Sequence, residues 1–189
     1  MGQAISTSAL WGAKALLPTP AFVPQFEQVI ESAATSHGLT PMLMVGDVAR
    51  LMNELCADSD TTLIELAQRQ GRSCGGAIMP LIETADTVSD AIRLILMYNC
   101  LHAEPLHWTG SIREKQVALT AWLDRPADVT VQQSERIVLL GTLQIVSALT
   151  DLLGDSFKPV LIRIKPSQMS LDRPDQFMGV PIDANAAET

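Results

Sequence analysis

The sequence predicts an α+β domain in which a helical N-terminal half packs on a small, mainly antiparallel sheet crossed by one long buried helix. Three observations carry this prediction. Apolar residues recur at three- and four-residue steps as far as Tyr98, which is the spacing of amphipathic helices. From Leu106 they alternate with polar residues, as they do in strands. Residues 131–153 then form a long helical pattern that is apolar nearly all the way round.

The composition indicates a folded domain that does not itself grip nucleic acid. The 189 residues are enough to bury a core, and 47% hydrophobic against 18% charged residues argues against disorder. A net charge of -8 is the wrong sign for binding a phosphate backbone. If the protein contacts DNA, another part of it must do so.

The cysteines and the N-terminus favour a cytoplasmic location without a membrane span. Cys56, Cys74 and Cys100 are odd in number and widely spaced, which is typical of reduced thiols. The N-terminus lacks the basic flank and apolar run of a signal peptide. The uncharged stretch at residues 137–150 is about 14 residues long, whereas a span needs roughly 20. We therefore expect a buried core helix there.

The domain limits follow from composition. Residues 1–20 mix small and polar residues and end at prolines, so we expect a flexible, loosely attached arm. Residues 21–183 form the folded domain. Residues 184–189 have no feature that would order them.

Helix signals punctuate the first half of the chain. The first helix has Pro24 in its first turn and ends at Gly38. Thr40 and Pro41 resemble the cap and first turn of a second helix, and a third covers residues 62–70.

Next comes the unit around which the chain is organised. The glycines of residues 71–76 should let one helix lead into the next. Thr87 and Asp90 form a pair of the capping-box kind, so the following helix should begin at Val88 and run to Tyr98.

The second half should contain a hairpin, the long helix and further strands. A turn at residues 114–115 would set Ile112 opposite Val117 and Leu106 opposite Leu123, with every apolar residue on one side. The helix should be capped by Thr130 and end at Gly154, and residues 158–165 should form a strand, followed by a tail.

Two motifs allow chemistry. Gly71-Arg72-Ser73-Cys74-Gly75 matches G-x-S-x-G, the nucleophile elbow of hydrolases, although a polar helix rather than a strand precedes it. Cys100, His102 and His107 carry side chains that bind transition metals or haem, but without a zinc-finger or helical pair spacing. For both motifs a structural role is the stronger interpretation, since glycines also join helices and histidines also suit helix C-termini.

Four residues are candidates for a ligand pocket: Tyr98, His102, Trp108 and Trp122. An apolar patch with a few hydroxyl and imidazole groups suits a small molecule. The alternative is core packing for Trp108 and a subunit contact for Trp122. Since the chain contains no P-loop, G-x-G-x-x-G, H-E-x-x-H or C-x-x-C motif, we expect no catalytic residue, metal or cofactor.

The order of these elements resembles the N-terminal effector-binding domain of AraC-type transcriptional regulators, in the branch called arabinose-binding-like. The resemblance covers roughly residues 15–183. It is carried by Gly71, Gly75-Gly76, Ala85-x-Thr87-x-x-x-Ala91, Tyr98, the hairpin, the strand ending in Pro166 and Phe177-x-Gly179-x-Pro181.

The resemblance implies a bacterial-type sensor that binds a small-molecule effector and forms a homodimer, not an enzyme. It implies that a C-terminal domain with two helix-turn-helix motifs binds DNA. That domain is absent from this sequence, so the resemblance also implies a truncated part of a longer protein. For the dimer we expect a contribution from the long helix, with Leu140 and Val146 as test positions. The small self-contained hydrolase using Ser73 and the metal or haem sensor remain the alternatives.

Overall fold

A computed structural model describes residues 4–10, 12–17, 23–36, 42–113, 116–163 and 176–183. Six α-helices lie in these ranges: α1 (Val23–Ser36), α2 (Val45–Leu55), α3 (Thr61–Gln70), α4 (Met79–Ile82), α5 (Val88–Tyr98) and α6 (Val131–Leu153). Short 3-10 segments lie at Thr7–Leu10, Ala13–Leu16, Gly71–Ile78, Asn99–Leu101 and Gly154–Ser156. The predicted α+β class and the long helix are confirmed.

The strands of the described ranges belong to three small sheets. β1 (Ala4–Ser6) pairs antiparallel with β2 (Met42–Met44), and β3 (Leu106–Arg113) pairs antiparallel with β4 (Gln116–Leu123). β7 (Val180–Asp183) lies between β5 (Ile162–Arg163), to which it is parallel, and the antiparallel β6 (Gln176–Phe177). Pairing is mainly antiparallel, as predicted, but it is divided among separate sheets.

The predicted hairpin register is confirmed. Leu106 pairs with Leu123, and Ile112 pairs with Val117. The predicted turn, residues 114–115, lies outside the described residues. In β4 the half-buried residues Val117, Leu119, Ala121 and Leu123 alternate with exposed ones, as the predicted register requires.

The two predicted helix starts are confirmed by their caps. The Thr87 hydroxyl accepts a hydrogen bond from the backbone N–H of Asp90 at 3.1 Å, which begins α5 at Val88. At α6, the Thr130 hydroxyl accepts from the Gln133 N–H at 3.2 Å, and the Gln133 side chain accepts from the Thr130 N–H at 2.8 Å. This reciprocal pair satisfies two amide groups that the helix start would leave free.

The core is built around α6. Its first turns pack against α2, α3 and the hairpin, where Leu139 and Leu143 are buried. Its later turns, with Ala148 and Leu149, pack in a smaller cluster with α4 and α5. The predicted coverage of α6 on several sides is therefore supplied largely by the chain itself.

One helix of the described residues is long and apolar enough to cross a membrane, and it is α6 with its 3-10 extension, Val131–Ser156. Of its most apolar window, 56% is buried inside the domain. It also carries the buried, ion-paired Arg136. These features are those of a core helix, as the sequence predicted.

The N-terminal segment, residues 4–10 and 12–17, is packed into the core and is not the loosely attached arm that was predicted. Ile5 and Leu10 are only 3% and 2% exposed, and Ala13 is fully buried. Composition did not predict this packing, because β1 pairs with residues 42–44, which are far away in the sequence. Residues 1–3, 11, 18–20 and 184–189 lie outside the described residues.

The same pairing corrects the start of the second helix, which was expected at residues 40–41. Those two residues lie outside the described ranges, and α2 begins only at Val45 because Met42–Met44 forms β2. The stripe predicted for α2 is nevertheless buried, from Val45 to Leu55. The strand predicted at residues 158–165 is reduced to Ile162–Arg163, and residues 164–165 lie outside the described ranges.

A buried ion pair fixes α6 against the helical half. Arg136 Nε donates to Asp60 Oδ1 at 2.5 Å, and Arg136 Nη1 donates to Asn53 Oδ1 at 2.8 Å. The side chains of Arg136 and Asp60 are 9% and 1% exposed. Loss of either partner would leave a charge in a site of low dielectric constant, which is far costlier than loss of a surface pair.

We predict that Asp60→Ala lowers the free energy of unfolding by about 3 to 5 kcal/mol, measured by urea denaturation. Arg50→Ala, which breaks the exposed pair with Asp47, is the control and should cost less than about 1 kcal/mol. Equal losses in the two variants would show that the buried pair has no special role.

Candidate functional site: an apolar cavity beside α6

Apolar side chains from several elements surround a cavity where the helical half, the hairpin and the N-terminal segment meet α6. Ile5 and Leu10 come from the N-terminal segment, and Leu106 comes from β3. Leu140 and Gly141 are among the residues that α6 contributes to the wall. The cavity volume is about 50 Å³. This is room for a few waters, and is well below the roughly 300 Å³ of an ordinary ligand pocket.

Of the four predicted pocket residues, His102 and Trp108 line this cavity, and Tyr98 and Trp122 do not. Trp122 is 43% exposed and stacks on His107, with ring centroids 5.4 Å apart. It is adjacent to Ala121, the partner of Trp108, so strand alternation directs it to the opposite face. The two tryptophans therefore do not line the same cavity.

Tyr98 is displaced from the cavity by helix geometry. Ile95 and Asn99 are four residues apart and line the cavity from one face of the α5 end. Tyr98 is half-buried and packs instead with the smaller core cluster that contains Ile92. The sequence prediction therefore named Tyr98, whereas the next residue, Asn99, is the one that lines the cavity.

His102 lies at the polar edge of the cavity, next to the N-terminal segment. Its Nδ1 is 3.5 Å from Ser8 Oγ, and the Ser8 hydroxyl donates to the Cys74 carbonyl at 3.0 Å. Burial lowers the pKa of His102 to about 4, so the ring is neutral at pH 7. The Ser8 proton is already engaged, and this pair is not arranged as an activated nucleophile.

Two glutamines that sequence analysis did not select hold the N-terminal segment against α6. Gln144 Nε2 and Gln70 Nε2 both donate to the Ala9 carbonyl, at 2.7 and 3.1 Å. Gln144 Nε2 also lies 2.8 Å from Gln70 Oε1. Gln144 is 5% exposed and is the one amide side chain in the uncharged stretch at residues 137–150, which is the signal that could have found it.

One polar atom of the cavity wall is left without a partner. Among the described residues, the buried side-chain atoms lacking a hydrogen bond are Trp108 Nε1, Glu135 Oε2 and Ser147 Oγ. Of these three residues, Trp108 alone lines the apolar cavity. An unpaired buried donor costs about 1 to 3 kcal/mol, so a hydrogen-bond acceptor placed beside this N–H would be bound favourably.

The nucleophile elbow is not formed at Ser73. The preceding segment is helix α3 rather than a strand, and Ser73 is exposed. Gly71 and Gly76 adopt φ values of +46° and +48°, which favour glycine, and they join α3 to α4 through the 3-10 segment. This agrees with the predicted helix connection and gives the hydrolase alternative no geometric support.

The possible metal ligands are dispersed as well. Cys100 is exposed, His102 lies by Ser8, and His107 Nε2 lies 2.7 Å from Asp124 Oδ2. The described ranges contain no group of three or more His, Cys, Asp or Glu side chains that could hold a metal ion. The metal or haem alternative therefore has no assembled site at these residues.

Neither a protein-family model nor a curated protein matches this sequence. The site must therefore be interpreted from its own geometry. That geometry is an enclosed apolar space with one free donor, which suits binding of a small molecule better than general acid–base chemistry.

We predict that burial of neutral His102 makes stability depend on pH. Its pKa in the folded protein, about 4, is below the ordinary value of 6.5, so between these values the unfolded chain binds the extra proton. Stability should fall as the pH drops from 6.5 toward 4, by up to about 1.4 kcal/mol per pH unit from this group.

Urea midpoints measured from pH 7 to pH 4.5 test this prediction. His102→Gln should reduce the pH dependence, and His107→Gln should retain it because His102 is still present. An unchanged slope in His102→Gln would contradict the assignment.

Proposed function

We propose that this chain is the ligand-sensing and dimerisation domain of an AraC-type transcriptional regulator, that it acts in the cytoplasm, and that it binds a small-molecule effector beside α6. DNA binding would belong to a C-terminal domain outside this sequence. The observation that carries the proposal is the enclosed apolar cavity at the junction of the helical half, the hairpin and the N-terminal segment. The family resemblance of the sequence supports the regulatory context.

The position of the cavity suits a sensor. Its walls come from elements far apart in sequence, from Ile5 in β1 to Leu149 in α6. A molecule bound there would change the relative stability of arrangements of the N-terminal segment, the hairpin and α6. A sensor needs this property, because an effector can shift a conformational equilibrium only through different affinities for the two states.

A dimer contact would have to form at surfaces other than Leu140 and Val146, the two test positions on α6. Leu140 and Val146 are only 3% and 9% exposed within one chain, so charged substitutions there would disrupt the fold rather than test association. Met97, Leu101 and Trp122 are apolar and exposed, at 63%, 51% and 43%, and are available for a subunit contact. A species of only 20.4 kDa in sedimentation equilibrium would contradict the dimer.

The proposal predicts that filling the cavity abolishes effector binding. Ala148 lines the cavity from α6, so Ala148→Leu would place three further carbon atoms in it. Ala118→Leu, on the exposed part of β4, is the matched control. The purified proteins are incubated with a small-molecule extract of the source cells, washed, and the retained molecules identified by mass spectrometry.

The parent and Ala118→Leu should retain the same small molecule. The amount that Ala148→Leu retains should be at least tenfold lower. Circular dichroism confirms that both variants are folded. Retention of no molecule by the parent, or equal retention by folded Ala148→Leu, would contradict a sensor that uses this cavity.

A further inference from the structure

We infer that the cavity beside α6 selects an uncharged, largely apolar molecule that carries one hydrogen-bond acceptor, and that Trp108 Nε1 is the donor that recognises it. This inference rests on the proposed sensor function and specifies its ligand class. It follows from the chemistry of the wall, from the hydrogen bonds already made there and from the position of the indole ring at the cavity wall.

The wall excludes charged ligands. Among the described residues that line it there is no Asp, Glu, Lys or Arg, and most of them are Ala, Ile, Leu, Met and Val. The one titratable imidazole, His102, is neutral at pH 7 because burial lowers its pKa to about 4. An ion entering this space would lose its hydration without gaining a counter-charge, which is strongly unfavourable.

The described residues of the wall include one buried side-chain donor that has no hydrogen-bond partner. Gln144 Nε2 is engaged by the Ala9 carbonyl, and Asn99 Nδ2 by the Ala103 and Leu106 carbonyls. Trp108 Nε1 is buried without a partner. A ligand with a carbonyl, ether or ester oxygen would satisfy this N–H, whereas a hydrocarbon would leave it unpaired.

Leu106 and the indole ring pack closely against α6 because residue 141 has no side chain. A Cβ at Gly141 would lie 2.6 Å from Leu106 Cδ2 and 3.9 Å from Trp108 Cζ2. Cζ2 is bonded to the ring carbon that carries Nε1, so this edge of the indole faces the α6 backbone at Gly141. The unpaired donor and the missing side chain therefore lie next to each other at the cavity wall.

Size sets a further requirement. At about 50 Å³ the cavity accepts a ring-sized molecule only if a lining side chain moves. Met79 is the most adaptable residue of the wall, since methionine is unbranched and has three rotatable bonds. Met79→Ala should widen the cavity and tighten binding of any molecule that enters it.

Two isosteric probes separate recognition by Trp108 from simple burial. Cyclohexanone and methylenecyclohexane differ by a carbonyl oxygen against a methylene group, and cyclohexanecarboxylate adds a charge. Each is titrated into the parent, Met79→Ala, Trp108→Phe and Trp122→Phe. Binding is followed in proton–nitrogen correlation spectra, in which each of the three tryptophans gives one indole N–H signal.

Cyclohexanone should move the Trp108 indole signal saturably, identified by its absence in Trp108→Phe, and should leave the Trp122 signal in place. Trp108→Phe should lower the affinity for cyclohexanone relative to methylenecyclohexane by roughly two- to tenfold, which is the worth of one hydrogen bond. Trp122→Phe should leave that ratio unchanged.

Three outcomes would overturn the inference: equal ratios in the parent and Trp108→Phe, tighter binding of the carboxylate than of the ketone, or no binding of any probe even by Met79→Ala. If the parent still retains an extract molecule that Ala148→Leu loses, only the ligand class is wrong. If that retention also fails, the sensor proposal fails with it.

Discussion

The structure depends on burial of α6. This helix is apolar nearly all the way round, so in water it is stable only if other elements cover most of its circumference. α2, α3, the hairpin and the Gly71–Ile78 segment supply that cover. Two of its buried polar side chains, Arg136 and Gln144, are accommodated because each has a partner from a distant part of the chain. The fold is in effect a set of short elements assembled around one long helix.

The candidate site is a consequence of the same constraint. Several elements of different shape converge on α6 around an apolar cavity, and the absence of a side chain at Gly141 lets Leu106 and the Trp108 indole pack closely against the helix. The N-terminal segment closes this space and is held at the Ala9 carbonyl by two glutamine side chains. A molecule that occupied the cavity would therefore contact elements from distant parts of the chain at the same time.

Local features could be predicted from the sequence, and long-range features could not. The Thr87 and Thr130 caps and the hairpin register depend on residues close together in the chain, and all three predictions are confirmed. The pairing of β1 with β2 and the contact of Gln144 with Ala9 join distant segments, so no local pattern indicated them. At the site, the predicted hairpin register is enough to place Trp108 and Trp122 on opposite faces, whereas the approach of His102 to Ser8 joins distant segments and could not be predicted.

The central claim is that this chain binds an effector and thereby controls a DNA-binding domain. The intact mass of the gene product isolated from its own cells tests that claim most directly. The account predicts a chain larger than 20.4 kDa by about 100 to 150 residues, the size of one further domain, with basic helices in the added part. A gene product of 20.4 kDa that ends at Thr189 would contradict the claim, since the acidic domain would then have no DNA-binding part to control.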